Sequence, residues 1–228
     1  SQRISNLSFL LMGTLQKVYS PIVYDKMFND PSIKGSRDIG LLLTPYAYLT
    51  VFPAVAISIF SEEILMVLAP PEYISGANVV NILCIALSLG FFTKQPQLMY
   101  AAKTRLITGL SFLNFLFTII FLYIFIHKYG VLGAAIAYLI SSLLYNVLYL
   151  WQGQKHYKIQ YEWGKVFLIY FSTFFISISI LILNLLSVSY VYLLGIKLIF
   201  LICFLFLGYS LNIITRSNFD LIFKKSHD

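Results

Sequence analysis

The chain has 228 residues, of which 59% are hydrophobic and 11% charged, with a formal net charge of +7 and a mean hydropathy of +0.83. A soluble domain carries about 25% charged residues, so this chain has too little polar surface to face water on every side. Its basic residues lie between apolar runs rather than on one solvated face, which excludes a nucleic-acid footprint. Cys84 and Cys203 stand far apart in apolar segments, which excludes a disulfide framework or a CxxC metal site.

Crossing a bilayer core of roughly 30 Å takes about 20 apolar residues, and the apolar runs predict an all-α, polytopic membrane helix bundle of about seven transmembrane helices. The spans are Ile4 to Tyr24, Ile39 to Phe60, Asn78 to Ala102, Leu106 to Ile126, Gly130 to Trp151, Lys165 to Val188 and Tyr190 to Ile214. The opening Ser1-Gln-Arg-Ile has no initiator Met, basic leader or cleavage site, so no signal peptide is read there. The chain is expected to begin partway through a longer protein.

In the first span Asn6, Gly13, Lys17, Ser20 and Tyr24 share a helical face. Lys17 is about 10 Å from Tyr24 along the axis, close enough to snorkel to the headgroups or to line a cavity. Asp25, Asp30 and Asp38 then alternate with Lys26, Lys34 and Arg37, which reads as a solvated, self-paired loop. Pro45 and Pro53 predict kinks in the second span, with Thr44 and Thr50 beside them as hydrogen-bonding relief. Glu62, Glu63 and Glu72 follow in a connection without a basic residue, where they serve the charge asymmetry of the two membrane sides.

The third span contains Leu89 to Tyr100, "LGFFTKQPQLMY". Lys94 lies nine residues, about 13 Å, from Lys103, and a lysine at membrane depth costs roughly 2.5 to 3.5 kcal/mol. On continuous helical spacing Gly90, Lys94, Gln97, Ala101 and Arg105 form one polar stripe, and Pro96 bends the helix so that Lys94 and Gln97 face a cavity. The rival reading has Lys94 bonded to carbonyls of a neighbouring helix. Ser111, Asn114 and Thr118 make a further polar stripe in the fourth span. Gly130, Gly133, Ala134, Ala137 and Ser141 in the fifth form a small-residue face suited to close packing. Lys197 in the seventh, among apolar neighbours, is expected to snorkel.

Eleven of the sixteen Lys and Arg residues collect in alternate connections and the tail, and only Arg3 and Lys128 on the other side. The positive-inside rule then places the amino terminus outside and the carboxyl terminus in the cytoplasm. No Asp, Glu or His falls inside a predicted span, and His127, His156 and His227 are isolated, so no nucleophile's base or metal ligand set is read, and neither enzyme activity nor a cofactor is expected.

The strings "QLMYAAKTRLITGLSFLNF" and "HKYGVLGAAIAYLISSLLYNVLYLW", with "SEEILMVLAPPEYISGANVVNILCIAL" and "RISNLSFL" before them, resemble the second lobe of polysaccharide (O-antigen) flippases of the multidrug/oligosaccharidyl-lipid/polysaccharide exporter superfamily. The chain departs from the family's pattern at Pro70-Pro71 and at His127. The resemblance implies two regions: residues 1–151, five helices of a C-terminal lobe whose first helix is missing, and residues 152–228, two additional transmembrane helices and a short cytoplasmic tail. It implies a multi-pass protein of the bacterial inner membrane that moves an undecaprenyl-pyrophosphate-linked oligosaccharide, as in lipopolysaccharide O-antigen biosynthesis, from the cytoplasmic to the external leaflet by alternating access. Its partners would be the lipid-linked oligosaccharide, membrane lipid, an N-terminal lobe and polysaccharide assembly proteins. Lys94 and Lys17 would meet the diphosphate, and Gln95, Gln97 and Asn114 the sugar. A drug exporter of the same superfamily would need acidic residues in its cavity, and a polysaccharide polymerase a large external loop with catalytic Arg or His.

The charge asymmetry is checked by single cysteines at Ser75 and Lys158, which should label from opposite sides of intact cells, Ser75 with an impermeant reagent. Equal labelling of both would overturn the assigned orientation.

Overall fold

The computed structural model describes residues 2–30, 32–94, 96–186 and 189–213, and their side chains apart from those of residues 2–12, 93, 94 and 185. The predicted tail with Arg216, Lys224 and Lys225, and Gln95, lie outside the described residues, as do the side chains of Asn6 and Lys94. The described chain is all-α: α1 (Gln2–Asn29), α2 (Ile33–Ile59), α3 (Ser61–Leu68), α4 (Ala77–Ser88), α5 (Gln97–Tyr100), α6 (Thr104–His156), α7 (Trp163–Leu185) and α8 (Tyr190–Ser210), with 3₁₀ turns at Pro71–Gly76 and Leu89–Lys94. Five helical runs among the described residues are long and apolar enough to cross a bilayer: Ile33–Ile59, Pro71–Tyr100, Thr104–His156, Trp163–Asn184 and Tyr190–Ser210.

The expected solvated loop at 25–38 is mostly helix. Ser32 caps α2 by accepting from the Gly35 amide at 3.2 Å, and its hydroxyl holds the Asp30 carboxyl below its usual range. The loop's expected self-pairing survives in the Lys26–Asp38 ion pair at 3.3 Å.

The bundle is organised around α2, which packs against α1, α4, α7 and α8. Its Tyr46, Ala47, Val51 and Val55 share a core with Tyr19 and Val23 of α1, Ile169 and Ile176 of α7, and Phe204 of α8. Pro45 and Pro53 sit inside α2 and withdraw the amides that would serve the carbonyls of Leu41 and Leu49. Thr44 and Thr50 bond the carbonyls of Gly40 and Ala47 instead, at 3.2 and 2.9 Å, so they do not supply the relief expected of them.

Helix α6 corresponds to two predicted spans. Gly130 has φ 56° and ψ −133°, a conformation open only to glycine, and the chain reverses there into two antiparallel arms, 104–129 and 131–156. A Cβ on Gly133 would stand 2.1 Å from the Phe125 carbonyl oxygen, so the arms touch backbone to backbone. Farther along, Thr118 donates to the Ser141 hydroxyl at 3.0 Å, and Ser111 meets the Tyr145 hydroxyl at 3.3 Å. The small-residue face of the fifth span is thus one side of this seam. The stripe Ser111, Asn114, Thr118, expected to line a cavity, is its other side: in lipid such hydroxyls find partners on an adjoining helix.

Gly130→Ala and Gly133→Ala should each lower stability by about 1–3 kcal/mol, the first through strain and the second through overpacking. Thermal unfolding of the detergent-solubilised chain reads this out, with Gly109→Ala, where a Cβ meets nothing within 4 Å, as the control.

Candidate functional site

The third span is broken, not bent. Its α-helix stops at Ser88, a 3₁₀ turn carries Leu89–Lys94, and α5 resumes at Gln97 behind Pro96 (φ −78°, ψ −2°). Because a 3₁₀ turn has 3.0 residues per turn rather than 3.6, the stripe from Gly90 to Arg105 loses its register. Gln97 is 1% exposed, and its amide donates to the Tyr157 carbonyl at 2.6 Å, where a cavity-facing position was expected. Arg105 is exposed in the first turn of α6. Backbone groups around the break are served by protein: Tyr170 of α7 donates to the Ser88 carbonyl at 3.0 Å and Ser142 of α6 to that of Ala86 at 3.1 Å.

The remaining candidates separate. Asn114 lies on the α6 seam, its Oδ1 buried without a hydrogen-bond partner. Lys17 is exposed, as are Thr14, Val18, Pro21 and Asp25 of α1, while Gly13, Ser20 and Tyr24 of its predicted stripe are half-buried. Among its described side chains, α1 therefore turns outward a mixed face in which Thr14, Lys17 and Asp25 stand beside Val18 and Pro21, with Phe28 exposed nearer its end. The other outer faces are apolar: Phe112, Phe115 and Ile119 on α6, Phe167, Phe171 and Phe175 on α7, and Ile199, Ile202 and Phe206 on α8. Those side chains suit lipid, whereas the lysine, threonine and aspartate on α1 suit a polar cavity or another helical unit.

The reading of Lys197 as a snorkelling residue is overturned. Its side chain is 1% exposed, and its ammonium lies 2.7 and 3.0 Å from the two Glu63 carboxylate oxygens and 3.5 Å from Glu62. Both carboxylates come from the first turn of α3, which the sequence reading left without basic partners. A depth argument could have found the pair, since Lys197 is seven residues, about 10 Å, into α8 from the end that meets α3.

Two more polar ties share the α3 end of the bundle. Asn81 of α4 accepts through Oδ1 from Ser58 of α2 at 2.7 Å and from Ser177 of α7, and donates to the Ser177 carbonyl at 3.3 Å. Asn184 donates to Asn78 at 3.0 Å, beside a cavity of about 420 Å³ lined by Glu62, Ser75, Asn78, Asn184 and Tyr190. No group of three or more His, Cys, Asp or Glu suited to a metal occurs among the described residues. No family model, curated protein or solved structure matches the chain.

Removing one partner of a buried ion pair costs about 3–5 kcal/mol, because the other charge is left uncompensated. Lys197→Met should therefore lose about 3 kcal/mol, somewhat softened by the partial exposure of the glutamates, and adding Glu62→Gln and Glu63→Gln should restore most of it. Denaturation in detergent measures both, and a Lys197→Met protein as stable as the parent would contradict the pairing.

Proposed function

We propose that the chain is the second lobe of a polysaccharide flippase, exporting a lipid-linked oligosaccharide by alternating access against a first lobe. The observation that carries this reading is the exposure of Thr14, Lys17 and Asp25 on α1, on a bundle where α6, α7 and α8 turn apolar side chains outward. It is supported by the family-like strings of residues 1–151 and by the break at Leu89–Pro96, which sets Lys94 in a non-α segment.

A lipid diphosphate carries concentrated negative charge into a low-dielectric space, where a fixed cation is worth far more than in water. Lys17 supplies that charge from α1, and Lys94 is the second cation for the headgroup. Alternation of the cavity between the two leaflets lets the same lysines receive the headgroup on one side and release it on the other, while the isoprenoid tail remains in lipid. Gln97 is withdrawn from the sugar-binding set, because its amide holds Tyr157. Helices α7 and α8, tied to α2, α3 and α4 by Asn81 and Lys197, move with the lobe as one unit.

In the complete protein, Lys17→Gln and Lys94→Gln should each leave membrane abundance unchanged and lower surface polysaccharide in a flippase-deficient cell by about tenfold or more, the worth of a charged hydrogen bond. The arginine variants should retain part of the activity. Abundant Lys17→Gln and Lys94→Gln proteins with normal export would overturn the proposed charge recognition.

A further inference from the structure

The face where α7 meets the second arm of α6 carries a groove of about 240 Å³, walled by Leu143, Val147 and Leu150 on α6 and by Trp163, Val166 and Phe167 on α7, with Leu89 and Phe92 as its floor. Trp163 and Phe167 are exposed, so the groove opens sideways, toward the surroundings of the bundle and not into its core. An opening of this kind in a membrane helix bundle meets hydrocarbon. Asn146 is the one amide in the wall, and its Nδ2 is turned back on the Ser142 carbonyl at 2.7 Å.

The mouth of the groove decides what kind of molecule supplies that hydrocarbon. Trp163 stands at the start of α7, the level at which tryptophans mark a membrane interface. The ridge Leu143, Val147 continues at helical i+4 spacing through Trp151 to Lys155, whose ammonium lies 3.4 Å from the Trp151 ring centroid. Lys158 follows in the connection to α7, exposed, with its backbone carbonyl anchored by the Ser36 hydroxyl at 2.6 Å. Neither Lys155 nor Lys158 has a carboxylate partner among the described residues, whereas Lys165 is engaged by Glu162 at 2.7 Å. Beyond the Trp163 end of the apolar slot, the same α6 ridge and the connection to α7 carry an aromatic ring and two cations without carboxylate partners.

We propose that this groove seats an acyl chain of an anionic glycerophospholipid from the adjoining leaflet, with its phosphate held by Lys155 and Lys158. Charge complementarity selects this occupant over a zwitterionic lipid, whose own ammonium would compete with the lysines for the phosphate. The site is distinct from the polar α1 face and does not depend on the transport reading. A lipid bound there fills the crevice between the second arm of α6 and α7, beside the polar ties that already hold their connection.

The chain has two tryptophans, one in the groove and one outside it, which makes the site addressable. Trp151→Phe leaves Trp163 as the reporter, and the protein is reconstituted in phosphatidylcholine bilayers containing brominated-chain phosphatidylglycerol or, at equal mole fraction, brominated-chain phosphatidylcholine. Phosphatidylglycerol should quench Trp163 with a relative association constant about fivefold higher per contributing lysine. Lys155→Gln with Lys158→Gln should bring the ratio to about one. In the Trp163→Phe protein, Trp151 should show a weaker preference. Equal quenching by the two lipids, or a preference that survives loss of both lysines, would overturn the proposal. So would a brominated polyprenyl phosphate that quenches Trp163 more strongly than phosphatidylglycerol at the same mole fraction, since the groove would then belong to an isoprenoid chain.

Discussion

Inside a bilayer there is no water to satisfy a polar group, so each one must be matched within the protein. Apolar contact alone does not hold such helices together, because lipid tails are as apolar as leucine. Here the matched groups are the ties between helices: Ser58–Asn81–Ser177 across α2, α4 and α7, Lys197 with Glu63 across α8 and α3, and Thr118–Ser141 between the arms of α6. At the opposite end Gln97 holds the Tyr157 carbonyl and Ser36 that of Lys158. The connection between α6 and α7 is thereby pinned to both α5 and α2.

The same constraint gives the α1 face its meaning. A bundle that satisfies Lys197 with two carboxylates and serves the broken third span with Tyr170 and Ser142 would hardly leave Lys17 against hydrocarbon without a use for it. Lys17, by contrast, is exposed on α1, which makes that face the proposed side for a substrate headgroup or a second lobe to meet. Under the proposed transport, this face, and not the apolar faces of α6, α7 and α8, would border the moving cavity.

Periodicity and length made the helical class and most span positions legible: the predicted spans at Gly130 to Trp151 and Tyr190 to Ile214 correspond closely to the second arm of α6 and to α8. The small-residue seam was legible for a local reason, since Gly133, Ala134, Ala137 and Ser141 sit at one spacing on one face; the reversal at Gly130 was not, Gly130 having been placed on that face. What periodicity could not carry was anything that depended on its own constancy. The polar stripe through Lys94 assumed 3.6 residues per turn across a segment that winds as a 3₁₀ turn, and Gln97 moved from an imagined cavity wall to a backbone tie. Partners distant in sequence were also beyond reach. Lys197 and Glu63 are separated by 134 positions, and only their common depth connects them before the fold is known. On α1 the stripe read from the sequence shares only Lys17 with the exposed face: Gly13, Ser20 and Tyr24 are half-buried, and Thr14, Val18, Pro21 and Asp25 face outward instead.

The central claim is that the outward face of α1 borders a polar, water-reachable space and that of α7 borders lipid. It is tested most directly by thiol accessibility in intact cells, with Cys84 and Cys203 replaced by Ala and single cysteines placed at Thr14, Val18 and Phe171. The account predicts that a small charged thiol reagent modifies Thr14→Cys and Val18→Cys, that a lipid-linked saccharide substrate slows that reaction, and that Phe171→Cys stays unreactive. Thr14→Cys and Val18→Cys as unreactive as Phe171→Cys would place α1 against hydrocarbon and contradict the account.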